Sequence, residues 1–404
     1  MIHLAIIKSV RACNLRCPYC YYINNETKNY GQMISEPTIE RLYFHISQHL
    51  AAQQGFGFVW HGGEPLLMGR RRFKRFLDMQ KNFFSPDEIR NLLQTNGVLI
   101  DQPWIDFFNE NGVAVGLSLD GPQELHDRNR PKVSGKGSYQ DVLKAIELLH
   151  KNKMMVCVLS VVDGRHDGYE ALAHLQGLGV HQCDFLIPMT NNALQSNSNV
   201  GTYHQYTDFQ GIGNFLLGAF QRWIETPEPK IGVRLFECLM QNAFGIPHGY
   251  LNAGSCNLSE SLVLETNGDI CLDTDFSHID RYQLGSQYNL QLNVHHKDFS
   301  LSDVEQRLKN FIASEHLDLL PEDCQRCKVR SICHASHPAS RFDADGSYNH
   351  RSAYCEAFYA LGELIVDYLH QKGLSSDFYD PDLKAVLLQE SCHRRDDTVA
   401  VRAV

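Results

Sequence analysis

"HLAIIKSVRACNLRCPYCYY" (3–22) runs an apolar, β-rich stretch directly into a loop carrying three cysteines, Cys13, Cys17 and Cys20, with aromatics at Tyr19, Tyr21 and Tyr22. The stretch has no turn residue until the cysteines begin, so it reads as a buried strand that ends where the thiols start. Whatever the thiols hold therefore lies at the C-terminal end of the first strand.

The same kind of run recurs. "GFVWHGG" (57–63), "NLLQTNG" (91–97), "AVGLSLDG" (114–121), "VCVLSVVD" (156–163) and "CDFLIPM" (183–189) follow, separated by segments of helical periodicity such as "TIERLYFHISQHLA" (38–51) and "SYQDVLKAIELLHKN" (138–152). Buried strands alternating with amphipathic helices predict parallel β/α units, about six of them. In such proteins the chemistry collects where strand C-termini open into loops. Four runs end in Gly- or Asp-bearing turns, "HGGEP", "TNG", "LDGP" and "VDG", on the face that also receives the cysteines. The fold class expected is α/β, a partial (β/α)6 TIM-like barrel over 1–200. Longer helices are expected at 201–250, then a cysteine-rich domain at 251–375 and a polar, mobile tail at 376–404. Inside the cysteine-rich part, "SLVLETNGDICLDTD" (261–275) predicts a hairpin turning at Asn267-Gly268, because both residues tolerate positive φ.

The totals narrow the classes. The chain has 404 residues, 43% hydrophobic and 21% charged, the profile of an ordinary globular protein. A net charge of −10 without clustered Lys and Arg argues against nucleic acid as a partner. No uncharged run reaches membrane length, so no membrane association and a cytoplasmic location are expected. In that compartment thiols stay reduced, and clustered cysteines bind metal more often than they pair.

Three thiolates from one loop match iron–sulfur chemistry, and three ligands on a four-iron cube leave one iron open to a small molecule. A structural zinc is the alternative, but zinc favours closed four-ligand sites and no nearby Cys or His completes this one. With Cys-x3-Cys-x2-Cys after the first strand, "HGGEP" (61–65), "TNG" (95–97), "SLDGP" (118–122) and "HDRNRPKVSGKGSY" (126–139), the sequence resembles the radical S-adenosylmethionine (SAM) superfamily. The last segment is similar to the HDxxR…GxGSY block of peptide- and protein-modifying members.

The resemblance implies a 4Fe–4S cluster on Cys13, Cys17 and Cys20 whose open iron binds SAM. Gly62, Gly63 and Glu64 would line the methionine amine. Asn96, Ser118 and Ser160 would contact the ribose and methionyl groups, Tyr19 the adenine, and Arg130 the SAM carboxylate or a substrate acid. SAM cleavage to a 5′-deoxyadenosyl radical and hydrogen abstraction from the substrate would follow. Read without the resemblance, the Gly, Asn and Ser positions are turn chemistry and Arg130 a surface ion pair.

"CQRCKVRSICHASH" (324–337) with Cys355 resembles the SPASM extension, which holds auxiliary iron–sulfur clusters. Cys324, Cys327, Cys333 and Cys355 would form one complete ligand set; a zinc ribbon is the competing reading of the spacing. The pattern of a second auxiliary cluster departs here. His337 stands at the x3 position and Asp273 at the hairpin's Gly-x4 position, both usually cysteine. Cys256, Cys271 and His337 remain as an unconventional remnant, and Asp273 and Asp275 are candidate bases or solvated hairpin carboxylates.

Within SPASM proteins this departure resembles the three-residue cyclophane-forming (XYE/FxsB-like) maturases of ribosomal peptides, which join an aromatic carbon to a side-chain β-carbon. The alternatives are an anaerobic sulfatase maturase, making formylglycine, or a thioether-forming maturase. The partners implied are a precursor peptide and an external one-electron reductant of flavodoxin or ferredoxin type. Because the first strand begins at residue 3, leader binding is expected in 200–250, in the cysteine-rich domain or on a separate protein. A zinc-stabilised binding protein without redox chemistry is the reading from another class.

Overall fold

A computed structural model describes residues 1–22, 30–50, 55–195, 208–226, 231–246, 249–250, 253–254, 258–276, 279 and 290–374. Cys256 and the tail at 376–404 lie outside the described residues.

All six predicted strands are present, as β1 (Leu4–Val10), β2 (Phe56–Gly62), β3 (Ile89–Thr95), β4 (Val113–Ser118), β5 (Cys157–Val161) and β6 (Gln182–Leu186). They pair in sequence order and in parallel, and a two-residue β7 (Gly232–Val233) extends the β6 edge. Helices α1 (Glu36–His49), α2 (Arg70–Gln80), α3 (Gln102–Asn111), α4 (Gln123–Asn129), α5 (Tyr139–Lys151) and α6 (Gly168–Gly177) fill the connections. Their starts follow local chemistry. Ser35, Asp101 and Asp167 each accept a backbone N–H of the first turn of α1, α3 and α6.

The sheet stays open. The other edge of β1 pairs in parallel with the first strand of the hairpin, Ser261–Leu264, whose partner Asp269–Cys271 and then Leu292–Asn293 complete ten strands. The cysteine-rich part is thus joined edge-on to the barrel. A buried Arg11–Glu265 ion pair at 2.7 Å and a Tyr22 hydroxyl donating to Glu265 at 3.1 Å reinforce that seam.

Period-2 alternation sorts the strand residues. Ala5, Ile7, Phe58, Trp60, Leu93 and Leu117 face the helices in the main core. Leu4, Ile6, Val59, Leu92 and Ala114 form a smaller apolar layer on the inner face. Above that layer the inner positions turn polar, with Lys8, His61, Gln94 and Ser118 opening onto a cavity. The inner apolar layer closes the bottom, and chemistry is confined to the top.

Helix Phe209–Glu225 packs closely on α6 because glycines line the contact: a Cβ on Gly168 would stand 1.8 Å from the Phe215 carbonyl oxygen. Gly168→Ala must push the helices apart, and we expect a loss of about 1–3 kcal/mol in urea unfolding. An unchanged midpoint would contradict this packing.

Candidate active site and cysteine centres

The predicted strand-end residues converge on one cavity of about 290 Å³. Cys13, Cys17, Tyr19, Cys20, Gly62, Gly63, Asn96, Ser118, Arg130, Asp273 and Asp275 all line it. Besides the polar Lys8, His61, Gln94 and Thr95, much of the remaining wall is apolar and aromatic, including Leu159, Val161, Leu186, Ile187, Met189 and Tyr21.

The cysteine loop is stitched to the end of β2. Gly63 N donates to Val10 O at 2.7 Å and Glu64 N to Ala12 O at 2.8 Å. Gly62 sits at φ +136°, and a Cβ there would lie 2.7 Å from Val10 O, so no other residue fits without strain. Asn96, at the end of β3, donates to Asn14 Oδ1 at 2.7 Å and reaches Cys13 Sγ at 3.7 Å. Burial pushes the thiols of Cys13 and Cys17 up to about 12. Thiolates in this pocket thus need a cationic centre to hold them, which is what a metal cluster provides. The donor set fits the group the sequence implies.

Two expected residues take other places. Glu64 is fully buried and is not among the lining residues. Its Oε1 accepts from Leu66 N (3.0 Å) and the Thr95 hydroxyl (2.7 Å), and its Oε2 from Asn96 N (2.9 Å). It buckles the β2 loop to the β3 loop instead of presenting a carboxylate to the cavity. Burial raises it to about 7, against the pull of those three donors. Ser160 also lies off the cavity: its neighbours Leu159 and Val161 point inward, and alternation turns Ser160 to the outer face.

Arg130 belongs to a buried clasp. Its Nη2 donates to Asp120 Oδ1 at 2.9 Å, its guanidinium lies 5.4 Å from the Tyr19 ring centre, and the Tyr19 hydroxyl donates to Asp120 Oδ2 at 2.6 Å. The "HD…GSY" segment holds this arrangement. His126 Nδ1 accepts from Asp120 N (3.3 Å), which leaves Nε2–H to donate to Ser138 Oγ (2.9 Å), whose hydroxyl donates to Arg130 O (2.6 Å). Asp120 and His126 escaped the sequence reading as site residues; the fixed spacing of that segment was the available signal.

Lys8 was also missed, since a lysine inside a strand reads as an edge charge. It is 1% exposed, donates to the Tyr21 hydroxyl at 2.7 Å and lies 5.2 Å from the centres of both the Tyr21 and Tyr22 rings. Burial lowers it to about 8, offset in part by Glu265 and Asp273.

In the C-terminal part, Cys324, Cys327, Cys333 and Cys355 surround one small pocket with Val329, Ala335 and Tyr359. Cys324 and Cys333 sit on short helices, Cys327 on the loop between them and Cys355 at the start of the helix Cys355–Gln371, and four such thiols suit a four-ligand centre. After Cys333 the chain makes three left-handed residues, His334, Ala335 and Ser336 (φ 49°, 62° and 60°). This turn sends His337 inward, to Asp275, instead of toward the four cysteines. Cys271 is half-buried on the hairpin and is not among the residues lining either pocket.

Residues 7–175 match the model of the radical SAM superfamily. The chain is 30% identical over 346 residues to the serine-type anaerobic sulfatase-maturating enzyme of Klebsiella aerogenes, covering 81% of this chain and 77% of that protein. The corresponding enzyme of Bacteroides thetaiotaomicron is 28% identical over 385 residues, covering 90% and 89%. The solved structure of anSMEcpe with bound AdoMet (SAM) and the Cp18Cys peptide superposes with a TM-score of 0.76 at 25% identity, covering 91% of this chain and 96% of that one. The chain belongs to the radical SAM superfamily and is a radical SAM enzyme, with SAM and 4Fe–4S clusters as its cofactors. These relatives are sulfatase-maturating enzymes, the reading placed second to cyclophane formation above. No described helix is long and apolar enough to cross a membrane.

His126 is buried neutral, lowered by burial to about 4, while an unfolded histidine titrates near 6.5. A depressed histidine stabilises the fold above its unfolded value and loses that contribution as pH falls toward the folded value. Between pH 6.5 and 4 the wild type should lose about 3 kcal/mol from this group. His126→Gln should flatten that part of the stability profile, measured by urea unfolding at each pH; an unaltered slope would refute the clasp.

Proposed function

We propose that the chain modifies a side chain of a precursor peptide by radical SAM oxidation of the sulfatase-maturating type, turning a serine or cysteine into formylglycine. The observation that carries this is the convergence of Cys13, Cys17, Cys20, Gly62, Gly63, Asn96, Ser118, Tyr19 and Arg130 on one cavity, in a chain whose compared relatives are sulfatase-maturating enzymes.

In this reading Cys13, Cys17 and Cys20 ligate the radical SAM cluster, and Cys324, Cys327, Cys333 and Cys355 an auxiliary one. When bound, cluster and SAM supply a one-electron cleavage of SAM and hydrogen-atom abstraction from a substrate carbon. The chain's own residues do the positioning. The backbone at Gly62 and Gly63 allows close approach to the methionyl amine, and Tyr19 offers a ring face, held by Asp120 and Arg130. Leu159, Val161, Leu186 and Met189 exclude water and hold the target carbon in place. Oxidising a serine CH2–OH to an aldehyde removes two electrons and two protons. One of each leaves as the Cβ hydrogen atom; the second electron needs an acceptor and the hydroxyl proton a base. The four C-terminal cysteines would hold that acceptor. A flavodoxin- or ferredoxin-type protein would supply the starting electron, and the cytoplasm, where reductant and reduced thiols coexist, would be the location.

One feature favours a second reading, an aromatic-to-β-carbon cross-link in a ribosomal peptide: Asp273 and His337 stand where the two-auxiliary-cluster pattern has cysteines. A thioether-forming maturase has no such feature in its favour.

Anaerobic reconstitution should give about eight irons per chain, falling to about four in Cys324→Ala, Cys327→Ala, with SAM-derived 5′-deoxyadenosine formed by the wild type and lost in Cys13→Ala. Absence of iron and of cleavage would sink the enzyme reading. On a serine-bearing peptide, loss of two hydrogen atoms with hydrazide reactivity supports formylglycine. The same loss without hydrazide reactivity turns the assignment to a cross-link.

A further inference from the structure

Beside the cavity wall, Asp273, Asp275 and His337 place one carboxylate oxygen each and one imidazole nitrogen within 4.8 Å of one another. Asp273 and Asp275 line the cavity, and His337 closes the cluster from behind, 2% exposed and packed 5.6 Å from the Phe276 ring. Its Nδ1 lies 3.7 Å from Asp275 Oδ2 and accepts from Ala339 N at 3.2 Å. Its Nε2 is buried with no hydrogen-bond partner. A buried imidazole nitrogen without a hydrogen-bond partner is unfavourable. Two carboxyls beside it are a second liability: burial and the neighbouring Asp273 push Asp275 well above the usual carboxylate range.

A second auxiliary iron–sulfur cluster does not fit these donors. Such clusters are held by soft thiolates, and among the described residues no cysteine joins the group. Two carboxylates and an imidazole instead match the oxygen and nitrogen preference of a single divalent first-row cation, Mn2+, Fe2+ or Zn2+.

We propose that Asp273, Asp275 and His337 bind one divalent first-row cation at the wall of the active-site cavity. One cation neutralises the carboxyl pair and takes an imidazole nitrogen as its third ligand, in exchange for the Ala339 N contact. Since two of its ligands face the cavity, the ion is reachable by a substrate oxygen or sulfur. A coordinated side-chain hydroxyl or thiol loses its proton more readily, so the ion would ease the deprotonation that oxidation requires. This last role rests on the peptide-oxidation reading; the binding site itself does not.

The test uses the full-length protein with its iron–sulfur clusters reconstituted, incubated anaerobically with Mn2+ and desalted. Elemental analysis then counts manganese, zinc and any iron in excess of acid-labile sulfide. About one equivalent is expected in the wild type. Asp273→Asn, Asp275→Asn and His337→Gln should each lower Mn2+ affinity by about 10- to 100-fold, read from the free-ion electron paramagnetic resonance signal during titration. The near-isosteric Asp→Asn variants guard against a folding defect, checked by an unchanged cluster absorbance. A wild type without the extra equivalent, variants that retain it, or additional iron matched by additional sulfide would overturn the site. SAM cleavage without the extra metal would retire the cation alone, whereas metal binding without SAM cleavage would retire the peptide-oxidation reading and leave the cation standing.

Discussion

The whole site hangs on the place where the β2 loop lies against the end of β1. Gly62 rests its backbone on Val10 in a conformation no side chain allows, and the following two N–H groups bond to Val10 and Ala12. That contact sets where the chain leaves β1, and so where Cys13, Cys17 and Cys20 can go. Glu64 carries the constraint one strand further by binding Leu66 N, Thr95 and Asn96 N, and Asn96 returns it to Asn14 and Cys13. Three strand ends are thereby locked as one unit before any cofactor is present. Such preorganisation matters where a reactive group attacks whatever lies nearest.

Electrostatics complete what the backbone begins. The cavity is mostly apolar, so each charge in it needs an assigned partner. Arg130 has Asp120 and the Tyr19 ring, and Lys8 donates to the Tyr21 hydroxyl; at the seam with the hairpin, Arg11 has Glu265. Two places carry groups whose charged forms burial disfavours, the loop at Cys13 and Cys17 and the hairpin at Asp275. Both lie where a metal centre would supply the missing positive charge.

The C-terminal part is more than an appendage. Its hairpin strand extends the main sheet at β1, and the Tyr354 hydroxyl donates to the carbonyl of Pro188 on the cavity rim. The four-cysteine pocket and the active-site cavity are thus parts of one continuous framework. An electron acceptor held by those cysteines would keep a fixed relation to the reacting carbon.

The strands, the helices and most of the site were legible in the sequence because they obey local rules. Apolar runs with turn residues at their ends locate strand termini, and parallel β/α units bring those termini to one face. What stayed hidden depended on direction and on distant partners. Ser160 looks like a strand-end contact until alternation turns it outward, and Glu64 looks like a ligand group until Thr95 and Asn96 N take up its oxygens. Lys8 looks out of place until Tyr21 and Tyr22, brought back by the cysteine loop, cover it. Read locally, the chain already carries its cysteine spacings, the order of its strands and the positions of Asp273 and His337 beside those cysteines. Only the tertiary structure decided that those two residues meet Asp275, because they are 64 positions apart and are joined by a left-handed turn that no local propensity favours.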